Sequence, residues 1–421
     1  MARESDVAIV GSGPYALSLA AHLAARNVEF RIFGPPMKFW RDMPEGINLK
    51  SFAFATNVYV GARGYTFPEW CRAKGLEDFE PCPMASFAAY GLWIRDRFVP
   101  DLEPIEVSCV SLGDRGSFVL TLEDGRRVIA RRVVFATGLT HLAYLPPVLA
   151  ALPRDLVSHT FDHSDYAPFR GKEVAILGAG ASAIEAGALV HESGGSAQIL
   201  VREALAVFSD KLGAKRSLYH RVRYPNSVIG PGMKSRVMQT LPLAIYFLPE
   251  RPRVRLVKTH LGPAAPWWIK DRVIGHVPIM VRTTVIAAER VRDKVRLRVH
   301  EEGGGERALE VDHVIAGTGY EPDVDRLMYL DPDLRARLRR VERSPALSMN
   351  FESSVRGAYF IGPIAALNFG PLFRFVAGAE YAAPALARHL AGPRRAMGNV
   401  ARRLGGGNWS RRAAANPAPH P

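Results

Sequence analysis

Two stretches of this chain repeat one pattern: VAIVGSGPYALSLAAHL from Val7 and VAILGAGASAIEAGALV from Val174. Each reads as an apolar strand, a GxGxxA turn and an apolar helix, the arrangement that wraps a helix N-terminus around a dinucleotide pyrophosphate. Gly11 and Gly178 are expected to make the tight turn. Gly13 and Gly180 let the backbone approach the phosphates, and Ala16 and Ala183 keep helix and strand close. The unpaired amides at each helix start sit at the positive end of the helix dipole and suit an anion. With 37 Gly in 421 residues, chance supplies roughly one such match. Gly303, Gly305 and Ala308 are that match, and with no apolar helix behind them they read as a hairpin turn.

The repeat extends beyond the glycines. Each unit continues into alternating apolar and polar residues around a tight turn, SFVLTLEDGRRVIARR and VRLRVHEEGGGERALE, which read as β-hairpins. Each hairpin leads into an apolar strand closing on Thr-Gly: Thr137 and Gly138 in VVFATG, Thr318 and Gly319 in HVIAGTGY. The expected fold is therefore α/β, with two Rossmann-like dinucleotide-binding domains, each carrying an inserted hairpin or meander.

Composition limits the alternatives. The chain is 48% hydrophobic, enough for two cores. Met1 runs into a strand by Val7, which leaves no room for a signal peptide, and LPLAIYFLP from Leu241 is too short to span a bilayer. A cytoplasmic location is the default expectation. The net charge of +14 is carried by arginines that are scattered rather than clustered with aromatics. It favours anionic small molecules over nucleic acid. Cys71, Cys82 and Cys109 are the three cysteines, with no CxxC pair, so neither a metal site nor a redox disulfide is expected. If a reduced nicotinamide delivers electrons to this chain, they must leave by another route, of which O2 is the simplest. The sequence is compatible with a homo-oligomer.

On these motifs the chain resembles the flavoproteins with two dinucleotide-binding domains. Within them it is similar to the class B flavin monooxygenases: the dimethylaniline-type, Baeyer–Villiger and ornithine/lysine N-hydroxylase enzymes. The resemblance implies FAD in the first unit and NADPH in the second. It implies an FAD-binding domain formed by residues 1–165 and 311–395, an NADPH-binding domain of 166–310, and a disordered tail of 396–421. It also implies an enzyme that oxygenates a small-molecule nucleophile, an amine nitrogen first, through a C4a-(hydro)peroxyflavin. An NADPH-dependent reductase feeding a quinone or iron–sulfur partner is the alternative within enzymes, and a non-catalytic flavin sensor the alternative outside them.

Individual residues follow from the same comparison. Arg202 ends the strand AQILVRE where NAD sites carry an acid, so it suits the 2′-phosphate of NADPH. Phe39, Trp40 and Met43 resemble the N-hydroxylase segment that packs at the flavin. No carboxylate follows VEFRIF, which leaves the FAD ribose without a contact. Thr56 and Asn57 resemble a dimethylaniline-type pair, and the resemblance puts the Asn57 amide on the peroxyflavin. His159, Phe169, Gly171 and Lys172 match part of the monooxygenase fingerprint, although Pro153 and Asp155 stand where its Phe and Gly belong. Ser182, Ala183 and Glu185 match the GxGxSAxE form of the N-hydroxylases. In GAYFIGPIAALNFGPLFRFVAG, Gly362 ends a strand, and Gly370 is expected to open an apolar helix aimed at the flavin with Arg374 in its first turn.

Overall fold

The computed structural model describes residues 4–76, 81–204, 207–209, 227–230, 232–260, 262 and 264–392. The tail expected at 396–421 lies outside them.

The first sheet grows from the first repeat. Strand Ser5–Val10 is almost wholly buried, as a central parallel strand must be. It lies parallel between Phe30–Phe33 and Arg127–Phe135. The latter strand does two jobs. Its first half closes an antiparallel meander with Phe118–Leu122, itself paired to Val107–Leu112. Its second half lies parallel to Ala358–Phe360, so the chain returns to this sheet after leaving it for two hundred residues. The returning helix Ala379–Ala391 packs on Pro14–Ala24.

The second sheet is all parallel, in the spatial order Ile279–Met280, Ser196–Leu200, Glu173–Leu177, His313–Ala316, Val157–His159. Strands Thr283–Val291, Lys294–Glu301 and Gly305–Val311 form its meander, and Gly303 to Gly305 sit in a hairpin turn as read from sequence. Two of the parallel strands, Val157–His159 and His313–Ala316, fall outside the expected 166–310 division. His313–Ala316 pairs with Glu173–Leu177 and Val157–His159 pairs with His313–Ala316, so both join the second sheet, because a parallel strand reaches its partner through a crossover and not through sequence adjacency. Among the described residues no helix is long and apolar enough to cross a membrane.

The returning segment corrects one expectation. Gly370 does not open a helix of useful length: Pro371–Arg374 is a single 3-10 turn, followed by another at Val376–Gly378, and the long helix begins at Ala379. At Gly370 φ is +101°, and an added Cβ would stand 2.8 Å from the Ile245 side chain. This glycine serves a packed bend.

Candidate functional site

The two glycine turns are built alike to the individual hydrogen bond. Gly11 N–H donates to Phe33 O at 2.9 Å and Ala136 N–H to Val10 O at 2.8 Å; Gly178 N–H donates to Leu200 O at 3.0 Å and Gly317 N–H to Leu177 O at 2.8 Å. At Gly11 φ is +107°, and a Cβ would sit 2.5 Å from the Ala136 carbonyl; at Gly178 φ is +135°, and a Cβ would strike the Gly317 carbonyl. No side chain fits at either position. Gly13 and Gly180 are the opposite case, with extended backbones and open space where a Cβ would be. Helices Pro14–Ala24 and Ala181–Glu192 begin there with no side-chain cap and no acid in the first turn. The N–H groups of each helix start therefore face open space of a kind that fits a pyrophosphate. Ala16 and Ala183 are fully buried under their helices.

A deep cleft opens on the first turn, with about 1330 Å³ of free space including its mouth. Gly11, Gly13, Trp40, Thr137, Gly138 and Arg374 all line it. Trp40 is held edge-on to Phe87 at 4.9 Å. Thr137 Oγ1 lies 3.2 Å from the hydroxyl of Tyr329, a cleft residue from far along the chain with no local motif to announce it. Arg374 reaches across to the C-terminal end of helix Glu250–Thr259, donating to the carbonyls of His260 at 3.1 Å and Val257 at 3.4 Å. It ties a helix end while lining the cleft. Gly362 and Gly370 do not line it. Gly362 turns at φ +87° beneath the Tyr15 ring.

Asn57 is also placed differently from expectation. Thr56 faces the cleft and Asn57 does not. Asn57 is buried, its Nδ2 donating to Phe54 O at 2.9 Å and its Oδ1 accepting from Phe67 N–H at 2.8 Å. Phe67 opens helix Phe67–Ala73, so this amide satisfies one of the helix's orphan donors and pins the loop to it. With both ends used inside the protein, it has little left to offer a bound group.

Between the two units lies an aromatic junction. Phe39 stacks on Phe161 at 5.7 Å and meets Tyr320 at 6.4 Å, and Tyr320 contacts the His159 ring at 5.4 Å. His159 Nδ1 accepts from Phe161 N–H, so Nε2 carries the proton and donates to Gly319 O at 3.0 Å. Burial pushes its pKa down, and the neutral ring ties Gly319 to the Phe161 N–H. Behind it, Ser158 Oγ sits 2.7 Å from both His163 Nε2 and His313 Nε2.

On the second turn, Ser182 is exposed at the helix start. Arg202 is 79% exposed just past strand Ser196–Leu200, loosely paired to Glu203 at 3.5 Å. Glu185, one turn into the helix, is buried, and its Oε1 has no hydrogen-bond partner. Burial raises its pKa to about 7, against the pull of Arg272 and of the Asn48 N–H from the first unit. Sequence reading also passed over Lys38, Glu106, Thr140 and His141, all on the first cleft wall. Their signal is spatial, since only the fold brings them beside the glycine turn.

A family model described as pyridine nucleotide-disulphide oxidoreductase matches residues 5–365. An FAD-dependent urate hydroxylase from Xanthomonas campestris pv. campestris is 28% identical over 218 residues, 47% of this chain and 45% of that protein; the chain thus matches less than half of that relative's length. Ornithine hydroxylase from Pseudomonas aeruginosa superposes with a TM-score of 0.73 at 19% identity, covering 92% of this chain and 99% of its own. Ornithine N-hydroxylase from Kutzneria sp. 744, solved with reduced FAD, NADP+ and L-ornithine, gives 0.71 at 17% identity with the same coverage. At such identities these likenesses establish the fold.

Proposed function

Because this chain belongs to the pyridine nucleotide-disulphide oxidoreductase family, we propose that it is an FAD- and NADPH-dependent monooxygenase that transfers one oxygen atom of O2 to a small nucleophile, an amine nitrogen first. The observation that carries this reading is a contrast. Two intact dinucleotide cradles stand in a chain whose cysteines cannot form a redox relay. None of Cys71, Cys82 and Cys109 is in a disulfide, and none lines the cleft. Burial pushes the Cys71 thiol up to about 11, which keeps it protonated and unreactive. The disulfide chemistry for which the family is named has no residues here, and O2 remains the simplest electron acceptor.

Bound FAD would accept a hydride from NADPH and pass the electrons to O2. The protein's part is to bind and orient. Gly13 and the N–H groups opening Pro14–Ala24 would hold the FAD pyrophosphate, while Thr137, Gly138 and Trp40 line its cleft. Gly180 and Ser182 would hold the NADPH pyrophosphate, and Arg202 its 2′-phosphate. Phe39, Phe161 and Tyr320 form an apolar seam between the two sites, of the kind that keeps water from a reactive intermediate. The urate hydroxylase match and the N-hydroxylase fold both support a monooxygenase; the N-hydroxylases favour nitrogen as the acceptor.

The test follows flavin absorbance, O2 and peroxide together after NADPH is added to the purified protein, without substrate and then with a panel of amines, sulfides, ketones and heterocycles. The expected result is flavin bleaching, slow O2 uptake with peroxide release, and faster NADPH oxidation coupled to product with one substrate class. Flavin that bleaches and passes electrons only to quinones or an iron–sulfur protein would replace this reading with a reductase. Flavin that stays oxidised would make the protein a sensor.

A further inference from the structure

The first cleft lacks the residue that usually recognises the adenosine ribose. A dinucleotide site of this type carries an acid at the end of its second strand to accept the ribose 2′-hydroxyl. Here Phe30–Phe33 runs into Gly34, at φ +129°, where an added Cβ would stand 3.0 Å from Ser12 Oγ. Ser12 cannot readily give way, since its hydroxyl donates to Pro35 O at 2.7 Å and its carbonyl accepts from Met37 N–H at 3.2 Å. The fold has closed this position to any side chain.

A second segment runs alongside the same strand end. Glu103 N–H donates to Ile32 O at 3.0 Å and Gly34 N–H to Glu103 O at 3.0 Å, which extends the pairing past Phe33. Three residues later Glu106 reaches the cleft wall beside Gly34, Pro35 and Lys38, and it is the one carboxylate lining the cleft among the described residues. Glu103 itself is committed, accepting from Arg31 at 2.6 Å and Arg126 at 3.0 Å. Glu106 has no ion-pair or side-chain hydrogen-bond partner among the described residues. Lys38, whose ammonium feels the Glu106 charge, is bonded to Asp42 at 2.5 Å. A half-buried carboxylate kept without a partner on a cofactor wall retains both oxygens as acceptors.

Resting on the reading of this cleft as the FAD site, we infer that Glu106 replaces the missing strand-end acid and accepts hydrogen bonds from the adenosine ribose hydroxyls of FAD. The same negative charge would repel a 2′-phosphate, so the residue that recognises FAD also keeps NADPH out of the first cleft. Discrimination between the two cofactors is thereby split between two carriers of opposite sign, Glu106 in the first unit and Arg202 in the second.

The test is a titration of flavin-free protein, wild type and Glu106→Ala, with FAD and with an FAD analogue lacking the adenosine 2′-hydroxyl, read by flavin fluorescence. Circular dichroism checks that the variant is folded. Removing a charge-assisted hydrogen bond predicts FAD binding weakened by about 10-fold to 150-fold in the variant. The analogue should show a comparable loss against wild type and little further loss against Glu106→Ala, because both changes remove the same interaction. Unchanged FAD affinity in the variant overturns the assignment. So do losses that multiply independently, which would put the carboxylate on the adenine or on the loop. Wild-type protein that fails to take up FAD at all overturns the functional reading itself, and this inference with it.

Discussion

Glu185→Gln isolates the most unusual charge in the molecule. The carboxyl sits on helix Ala181–Glu192, faces the Asn48 N–H across the junction and leaves Oε1 without a partner. Arg272, whose charge Glu185 feels, is already bound through two of its nitrogens to Glu192 at 2.7 Å. Burial raises the Glu185 pKa from its ordinary 4.5 to about 7. The folded state therefore holds a proton that the unfolded chain releases, and stability falls as pH rises from about 4.5 through about 7. At 1.36 kcal/mol per pH unit that rise corresponds to about 3 kcal/mol lost by pH 8 and almost none at pH 4. Glutamine keeps the shape and an acceptor for Asn48 N–H but cannot ionise. The variant should match wild type near pH 4 to 5 and exceed it at pH 8 by about 3 kcal/mol. For a chain this size, unfolding as one unit, that is roughly 3 to 4 °C in Tm. Thermal unfolding of both proteins across pH 4 to 8, without nicotinamide, provides the measurement. A difference in Tm that stays constant with pH would refute the argument, because a packing or hydrogen-bond effect carries no proton dependence.

Four further substitutions probe the cradles and the loop. Gly11→Ala should destabilise the fold by about 1 to 3 kcal/mol in urea unfolding, since its Cβ meets the Ala136 carbonyl at positive φ, whereas Gly13→Ala should leave stability near wild type yet abolish FAD retention on gel filtration. Equal stability losses in the two variants would contradict the open cradle at Gly13. Arg202→Ala should raise the KM for NADPH by about 10-fold to 150-fold and leave that for NADH nearly unchanged; equal losses for both coenzymes would remove Arg202 from the 2′-phosphate. Asn57→Ala strands the Phe67 N–H and the Phe54 carbonyl and should cost about 1 to 3 kcal/mol. Once the variant is saturated with FAD, its ratio of peroxide to oxygenated product should equal that of wild type. A higher ratio would return the amide to the chemistry.

The relation of Asn57 to its neighbours shows where a motif stops being informative. Thr56-Asn57 is legible as a pair, yet which of the two side chains faces the cleft depends on helix Phe67–Ala73, whose first N–H captures the amide. Gly370-Pro371 looked like a helix start because proline is favoured there. The segment instead bends at Gly370, which packs against Ile245 from more than a hundred residues earlier. Glu106 and Tyr329 carry no local signal, because their neighbours on the cleft wall come from other segments of the sheet.

What the chain determined by itself is the pair of strand–turn–helix units. Those units rest on short-range physics: apolar runs that bury, glycines at positions where φ is positive or a phosphate must approach, and helix starts left uncapped. Folding alone decided which strands join each sheet, that Glu185 lies buried against the other unit, and that a carboxylate denied at Gly34 is available from Glu106. Those are distances between residues far apart in sequence, and burial and pairing set them only once both sheets have closed.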